Sequence, residues 1–329
     1  MLKKPIHGFF SHDLREVNSR KSFKSLDTKS SRFGGASLHR AQAAVFQQPA
    51  RTDFRTGSGF PVSAWSRAAQ VAFGAFWVLT GAILSAGAAW LVFGALRTWS
   101  EWLFILASAV ILKTTFSLAG LAAAAGRVKA ALAAGDLPEA RHAVARDLVS
   151  RETSALDEAR TVSAAVESVA ENLADSVVAP LFFYAIFGLP GALAYRFVNT
   201  ADAMIGYRGS TEYVGKAAAR LDDLLNLLPA RLSGLLVVAA ARLAGEDWRG
   251  AWRTLRRDHG RTASPNAGWP MSAMAGALGV ELSKVGHYTL GKARDPLTPA
   301  TLGRSVRILH AAAGLWLVGL AAGIGLAWS

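Results

Sequence analysis

From Ala69 to Leu96 the chain runs 28 residues without a charged side chain, between Arg67 and Arg97. No other stretch limits the fold so sharply. About 20 apolar residues are enough to cross a bilayer as a helix. In hydrocarbon the backbone must bond to itself, so this segment is predicted to be a transmembrane helix. Trp65, Trp90 and Trp99 lie near its ends, where interfacial anchors sit. Composition agrees: 52% of the 329 residues are hydrophobic and 18% charged, against about 25% charged in an average soluble domain.

Trp102–Gly126 is a second candidate span, and the short link from Arg97 to Glu101 makes the two an antiparallel hairpin. Lys113 interrupts this span and either faces a polar interior or snorkels. Ile308–Trp328 is predicted to be the last span, with His310 at its entrance. Two segments are ambiguous. Ser176–Leu189 offers only 14 apolar residues before Pro190, so it is re-entrant, or it spans by including Gly191–Tyr195. Leu224–Leu243 is apolar but carries Arg231. A helix break is expected at Gly135-Asp136, and a helix start near Ser154, which with Asp157 three residues later resembles a capping box.

The expected fold is an all-α, polytopic integral membrane helical bundle with re-entrant or shallow helices and cytoplasmic polar helices and loops. Residues 1–66 read as a disordered basic tail, and 67–329 as the membrane-embedded domain. Net charge is +13, and residues 1–60 hold 11 Lys and Arg against 4 Asp and Glu, a net +7. Charge of this kind orients spans and meets anionic lipid. No basic-aromatic motif accompanies it, so nucleic acid is not an expected partner and the lipid bilayer is. No signal peptide is visible at the start. Cysteine is absent, which excludes disulfides and thiolate chemistry.

Ser163–Arg231 mixes membrane-length apolar runs with many polar groups, and polar groups beside hydrocarbon are costly unless they serve a site. Glu167, Glu171 and Asp175 recur every four residues, placing three carboxylates on one helix face. Unpaired, they would repel, so that face wants cations or is a solvated surface. Asn199, Asp202 and Arg208 follow the break at Pro190-Gly191. Arg220-Leu221-Asp222-Asp223 precedes the next apolar run. Paired aspartates are hard oxygen ligands suited to Mg²⁺, and arginines suit phosphate; local salt bridges at a helix start are the alternative. Ser264-Pro265-Asn266-Ala267-Gly268-Trp269-Pro270 cannot be regular structure, and Pro270 is expected to open a helix ending near Gly279. That N-terminus, beside Ser264 and Asn266, either favours an anion or is a structural turn. If all the polar loops are to share one side, the ambiguous pair must not fully span.

The segments SRETSALDEA (Ser150–Ala159), AAVESVAENLADSVVAPLFFYAIFGLPGALAYRFVNTADAMIGY (Ala164–Tyr207), AARLDDLLNLLPARL (Ala218–Leu232) and SPNAGWPMSAMAGALGV (Ser264–Val280) together resemble the CobD/CbiB family of cobalamin biosynthesis. The resemblance covers about residues 70–329. It implies an adenosylcobinamide-phosphate synthase of the cell (inner) membrane with its active-site loops on the cytoplasmic side. Such an enzyme is an ATP-dependent amide-forming ligase. It joins adenosylcobyric acid to (R)-1-amino-2-propanol phosphate or ethanolamine phosphate, with ATP and Mg²⁺. Other late corrinoid-pathway membrane enzymes are implied as docking partners. On this reading Glu167 or Asp202 accepts the amine proton and Glu171, Asp222 and Asp223 hold the metal. Asn172, Asn199, Arg208, Arg220, Asn226, Arg231, Ser264 and Asn266 bind substrate and phosphate. Three departures stand out. Residues 1–60 contain nothing like the family's G-D-P…H-P-V stretch, Met271 stands where a Glu is common, and Lys216 stands where an aromatic is common. A competing class is a non-catalytic AmpE-like membrane relative, but the ARLDD and SPNAGWP segments, which a scaffold does not need, are intact.

Overall fold

The computed structural model describes residues 65–205 and 212–327. The basic tail therefore lies almost wholly outside the described residues, as does Arg208.

The described chain is helical apart from one small hairpin. Helix α1 (Arg67–Trp99) and helix α2 (Glu101–Thr115) are separated by Ser100 alone. That serine closes the first helix with its N–H on the Leu96 carbonyl and opens the second by accepting from the Leu103 N–H. Phe93 then meets Phe104 edge to face, as a helical hairpin requires. Large apolar side chains on both helices, among them Trp77, Ile83, Trp90 and Leu106, are exposed. A water-soluble fold would bury such a surface; in lipid it is the contact surface. The second candidate span continues only after a break at Phe116-Ser117, as α3 (Leu118–Ala133). Lys113 is exposed, with its ammonium 4.9 Å from the Phe116 ring. Gly135, at φ 73°, and Asp136, which caps the Glu139 N–H, start α4 (Leu137–Asp147).

Helix α5 (Glu158–Leu173) begins three residues later than the sequence suggests: Asp157, not Ser154, accepts the N-terminal N–H, from Arg160. A five-residue π-bulge (Ala174–Val178) then leads into α6 (Ala179–Ile205). Pro180 explains the bulge. It has no N–H to give the Ser176 carbonyl four residues back, and that carbonyl takes the Ser117 N–H instead, at 3.0 Å. Helix α6 is itself broken at Gly188 (φ 66°, ψ −158°), a conformation only glycine adopts readily. Past the break the chain folds back: Tyr195 stacks on Phe183 with centroids 5.1 Å apart, and its hydroxyl reaches the Asp175 carbonyl. Gly191 permits this, because a Cβ there would lie 2.7 Å from the Phe183 carbonyl oxygen.

Helix α7 (Glu212–Leu225) and helix α8 (Leu227–Leu243) meet at Asn226 with a 50° bend. Helix α9 (Trp248–Asp258) crosses α10 (Gly268–Leu278) through bare backbone, since a Cβ on Gly276 would fall 2.3 Å from the Gly250 carbonyl. Helix α10 starts at Gly268, two residues before the Pro270 expected to open it, and Gly279 closes it at φ 70°, as the sequence predicts. An antiparallel hairpin, β1 (Glu281–Lys284) and β2 (Tyr288–Gly291), follows, and α11 (Pro299–Ala327) ends the description.

Helices α5 and α10 are the centre of the molecule. Every residue of 161–170 and of 271–280 is buried. Four helical runs, Arg67–Trp99, Glu101–Ala133, Glu158–Ile205 and Pro299–Gly323, are long and apolar enough to cross a membrane; the bent α7–α8 pair is a fifth if counted as one span. The protein is thus an all-α polytopic membrane bundle, and the break at Gly188 folds α6 back on itself at the short apolar run before Pro190.

Candidate functional site

Because α6 folds back, Asn199 and Asp202 return to the level of Asp175 and face the bend between α7 and α8. Asp222 is the hub. Its Oδ1 accepts from Asn199 Nδ2 at 3.1 Å, and its Oδ2 accepts from Asn226 Nδ2 at 3.0 Å. Asn226 Oδ1 in turn lies 3.0 Å from the buried Tyr195 hydroxyl. Arg196 donates to Asn199 Oδ1 at 3.2 Å and is the cation beside Asp175 and Asp222. Tyr195, Asn199 and Asp202 follow the four-then-three spacing of a single helix face, which is why one arm delivers all three.

Asp223 turns the other way, since neighbouring residues on a helix point about 100° apart. Its Oδ1 accepts from the Ser264 hydroxyl at 3.1 Å, and its carbonyl accepts from Asn266 Nδ2 at 2.7 Å. The Ser264–Pro270 turn is thereby docked on the end of α7. Asn266 Oδ1 is buried without a partner among the described residues. Arg231 completes this wall. Its guanidinium donates to the Leu227 carbonyl at 2.6 Å and lies 4.8 Å from the Trp269 ring centre.

The carboxylate face of α5 divides between two roles. Glu167 is 4% exposed and fully engaged: Oε1 accepts from the Ser163 hydroxyl, and Oε2 accepts from Tyr288 at 2.7 Å and Arg151 at 3.3 Å. It fastens the β-hairpin to α5, and Ser163 adds a bond from the Ser283 N–H. Burial first, and then the Glu167 charge, hold the Tyr288 hydroxyl above its ordinary pKa, so it stays protonated as the donor. Glu171 and Asp175 have protein on every side yet remain open to water, as groups facing a concavity do. Asp202 carries no hydrogen bond to a described residue and sits within electrostatic reach of Asp222, Asp223 and Glu171. Asn172 is spent locally, donating to Ser168 and accepting from Ser176.

The structure therefore joins Glu171, Asp175, Asn199, Asp202, Asp222 and Asn226 in one polar cluster, with Asp223, Ser264, Asn266 and Arg231 beside it. Arg220 is exposed and makes no bond to a described residue. Among the described residues no group of three or more His, Asp or Glu converges tightly enough to hold a metal ion by itself. Mg²⁺ is usually held by one or two carboxylates with the substrate's phosphates and water, and Asp222 and Glu171 offer that donor type. Sequence reasoning missed Tyr195, Arg196 and Arg151; the spacing of Tyr195 from Asn199 and Asp202 was the available signal. Beyond Tyr195 lies an apolar cavity of about 400 Å³ among Ala82, Ala86, Phe183, Pro190 and Val198, which brings no polar chemistry.

Comparison with known proteins gives one consistent result. A family model described as CobD/Cbib protein matches residues 40–312. A cobalamin biosynthesis protein CobD of Dehalococcoides mccartyi is 51% identical over 215 residues, 65% of this chain and 70% of the relative. That of Geobacter metallireducens is 44% identical over 241 residues, 70% of this chain and 74% of the relative. That of Klebsiella pneumoniae is 38% identical over 274 residues, covering 78% and 85%. No solved structure matches the chain.

Proposed function

The chain belongs to the CobD/CbiB family, whose relatives are named for cobalamin biosynthesis, and from that premise we propose that it is the membrane-bound amide-forming synthase of that pathway. The reaction joins the carboxylate of adenosylcobyric acid to the amine of an aminoalkyl phosphate. ATP would activate the carboxylate by phosphorylating one oxygen, and a divalent ion would offset the phosphate charge. The amine nitrogen then bonds to the activated carbon, the bond from that carbon to the phosphorylated oxygen breaks, and the ammonium must lose a proton.

The observation that supports this reading is the convergence of three distant segments, 196–202, 222–231 and 264–269, on one acidic cluster. Asp222, oriented by Asn199 and Asn226, and Glu171 would face the ion. Asp202, which no described side chain claims, is the better placed proton acceptor; Glu167 is occupied by three donors and acts instead by holding the hairpin. The open Asn266 acceptor suits an amine or hydroxyl of the substrate, because a buried acceptor without a donor costs about 1–3 kcal/mol. Arg196 and Arg231, with Arg208 and Arg220 from the neighbouring segment, are the cations for phosphate.

The non-catalytic reading has one observation on its side: Met271 is fully buried in α10, so that position delivers no carboxylate. A coupling assay on purified membranes with adenosylcobyric acid, aminopropanol phosphate and ATP decides between the two. The wild-type chain should form the amide, and Asp222→Ala with Asp223→Ala should abolish it. Full activity in that double variant would sink the site assignment, and an inactive but folded wild type would favour the scaffold.

A further inference from the structure

Helix α9 carries a surface that the site does not use. Gly250, Ala251, Thr254, Leu255 and Asp258 are its buried side. The opposite side presents Trp248 and Trp252, 40% and 41% exposed, together with Arg249, Arg253 and Arg256. Rings and guanidinium groups are paired there. Arg249 lies 5.3 Å from the Trp248 ring centre and Arg256 lies 5.9 Å from that of Trp252. Two exposed tryptophans four residues apart are a poor surface for water. At a membrane boundary the same pattern is favourable, since the rings sit at headgroup level and the arginines meet phosphate.

The level of α9 in the molecule is fixed by separate contacts. Glu246, two residues before the helix, accepts from Arg304 at 2.5 Å and 3.0 Å and from Arg307 at 3.2 Å. The uncharged run of α11 begins with the next residue, Ile308. Asp247, which caps α9 on the Gly250 N–H, is also held by Arg294 at 3.0 Å. The start of α9 is therefore pinned where a membrane-length helix leaves hydrocarbon. Exposed Leu243, at the end of α8, marks the same boundary from the other side.

We infer that α9 is an interfacial anchor, with Trp248 and Trp252 at the hydrocarbon boundary and Arg249, Arg253 and Arg256 bound to anionic lipid phosphates. Each arginine at an anionic surface is worth about a fivefold gain in association.

The absence of cysteine makes the test clean. A nitroxide on Trp252→Cys, with the full chain in phosphatidylglycerol-containing lipid discs, should be relaxed by oxygen and largely shielded from a water-soluble nickel chelate. The double variant Arg249→Gln, Arg256→Gln should retain less phosphatidylglycerol after purification, by about fivefold per arginine. A label as open to nickel as a free nitroxide in water would overturn the anchor. A label shielded from both reagents in native membranes, but open in discs, would mean that a protein covers this face and would overturn it equally. Unchanged phosphatidylglycerol retention would overturn the headgroup assignment.

Discussion

The Tyr195 hydroxyl has one proton and two acceptors, Asn226 Oδ1 at 3.0 Å and the Asp175 carbonyl at 3.2 Å. It ties the returning arm of α6 to the residue that orients Asp222. Tyr195→Phe keeps the stacking on Phe183 but strips Asn226 of its donor, at a cost of about 1–3 kcal/mol. If Asp222 does the work assigned to it, this variant should lower kcat in the coupling assay with little change in KM, and should melt at lower temperature. Wild-type kcat with an unchanged melting temperature would remove Tyr195 from the site. The sequence showed the carboxylates and amides because charge and polarity stand out in apolar runs. Tyr195 did not stand out, because an aromatic in an apolar run looks like packing until its hydroxyl finds a partner. Glu167 shows the opposite error. Its place on the acidic face of α5 suggested chemistry, and only the three donors around it reveal a carboxylate held as a fastener.

Elements were legible where local chemistry punctuates them. Ser100, Asp136 and Gly279 act at their caps as their residue types predict. The β-hairpin was not legible, because its two four-residue strands are too short and polar to show alternation. Tertiary bonds define it instead, above all from Asp258 at the end of α9. Its carboxylate is sealed from solvent by a thin layer of protein. It accepts from Arg257 at 2.6 Å and 2.7 Å and from the Gly291 N–H at 2.9 Å, and forms an ion pair with Arg261 at 3.2 Å. Burial alone would raise its pKa; the Arg257 bonds, the Gly291 N–H and the two arginine charges outweigh that, and the net shift is downward. A depressed folded pKa means that the stabilisation is complete above the ordinary value of 3.8 and is lost as pH falls from there through the folded value. The protection of the Gly291 and Leu290 amides, taken relative to their intrinsic exchange rate at each pH, should fall over that acid window. Asp258→Asn should lose about 2 kcal/mol at neutral pH and show a flatter acid response. An unchanged acid response in that variant would assign the acid sensitivity elsewhere.

At the scale of the whole molecule the sequence posed a question it could not answer, namely whether the polar segments lie on one side of the membrane. Hydropathy counts residues along the chain, and a fold-back at one glycine is invisible to such a count. Gly188 and Gly191 turn the second half of α6 back along the first, which is how Asn199 reaches Asp222. The tip of that turn exposes Ile186 and Phe187, the latter by 61%, as a lipid-buried apex would. Three single cysteines in the otherwise cysteine-free chain test this directly: Ser154→Cys before α5, His287→Cys at the tip of the β-hairpin, and Phe187→Cys at the apex. In sealed vesicles of known orientation, an impermeant thiol reagent should label positions 154 and 287 from the same face. Position 187 should resist it from both faces and react only with a membrane-permeant reagent. Labelling of 187 from the face opposite to 154 would make the first arm of α6 a full crossing. Because the second arm returns to the level of Asp175, Asp202 and Asp222 would still lie on the face of the loop before α5, and the lipid-buried apex alone would be ruled out.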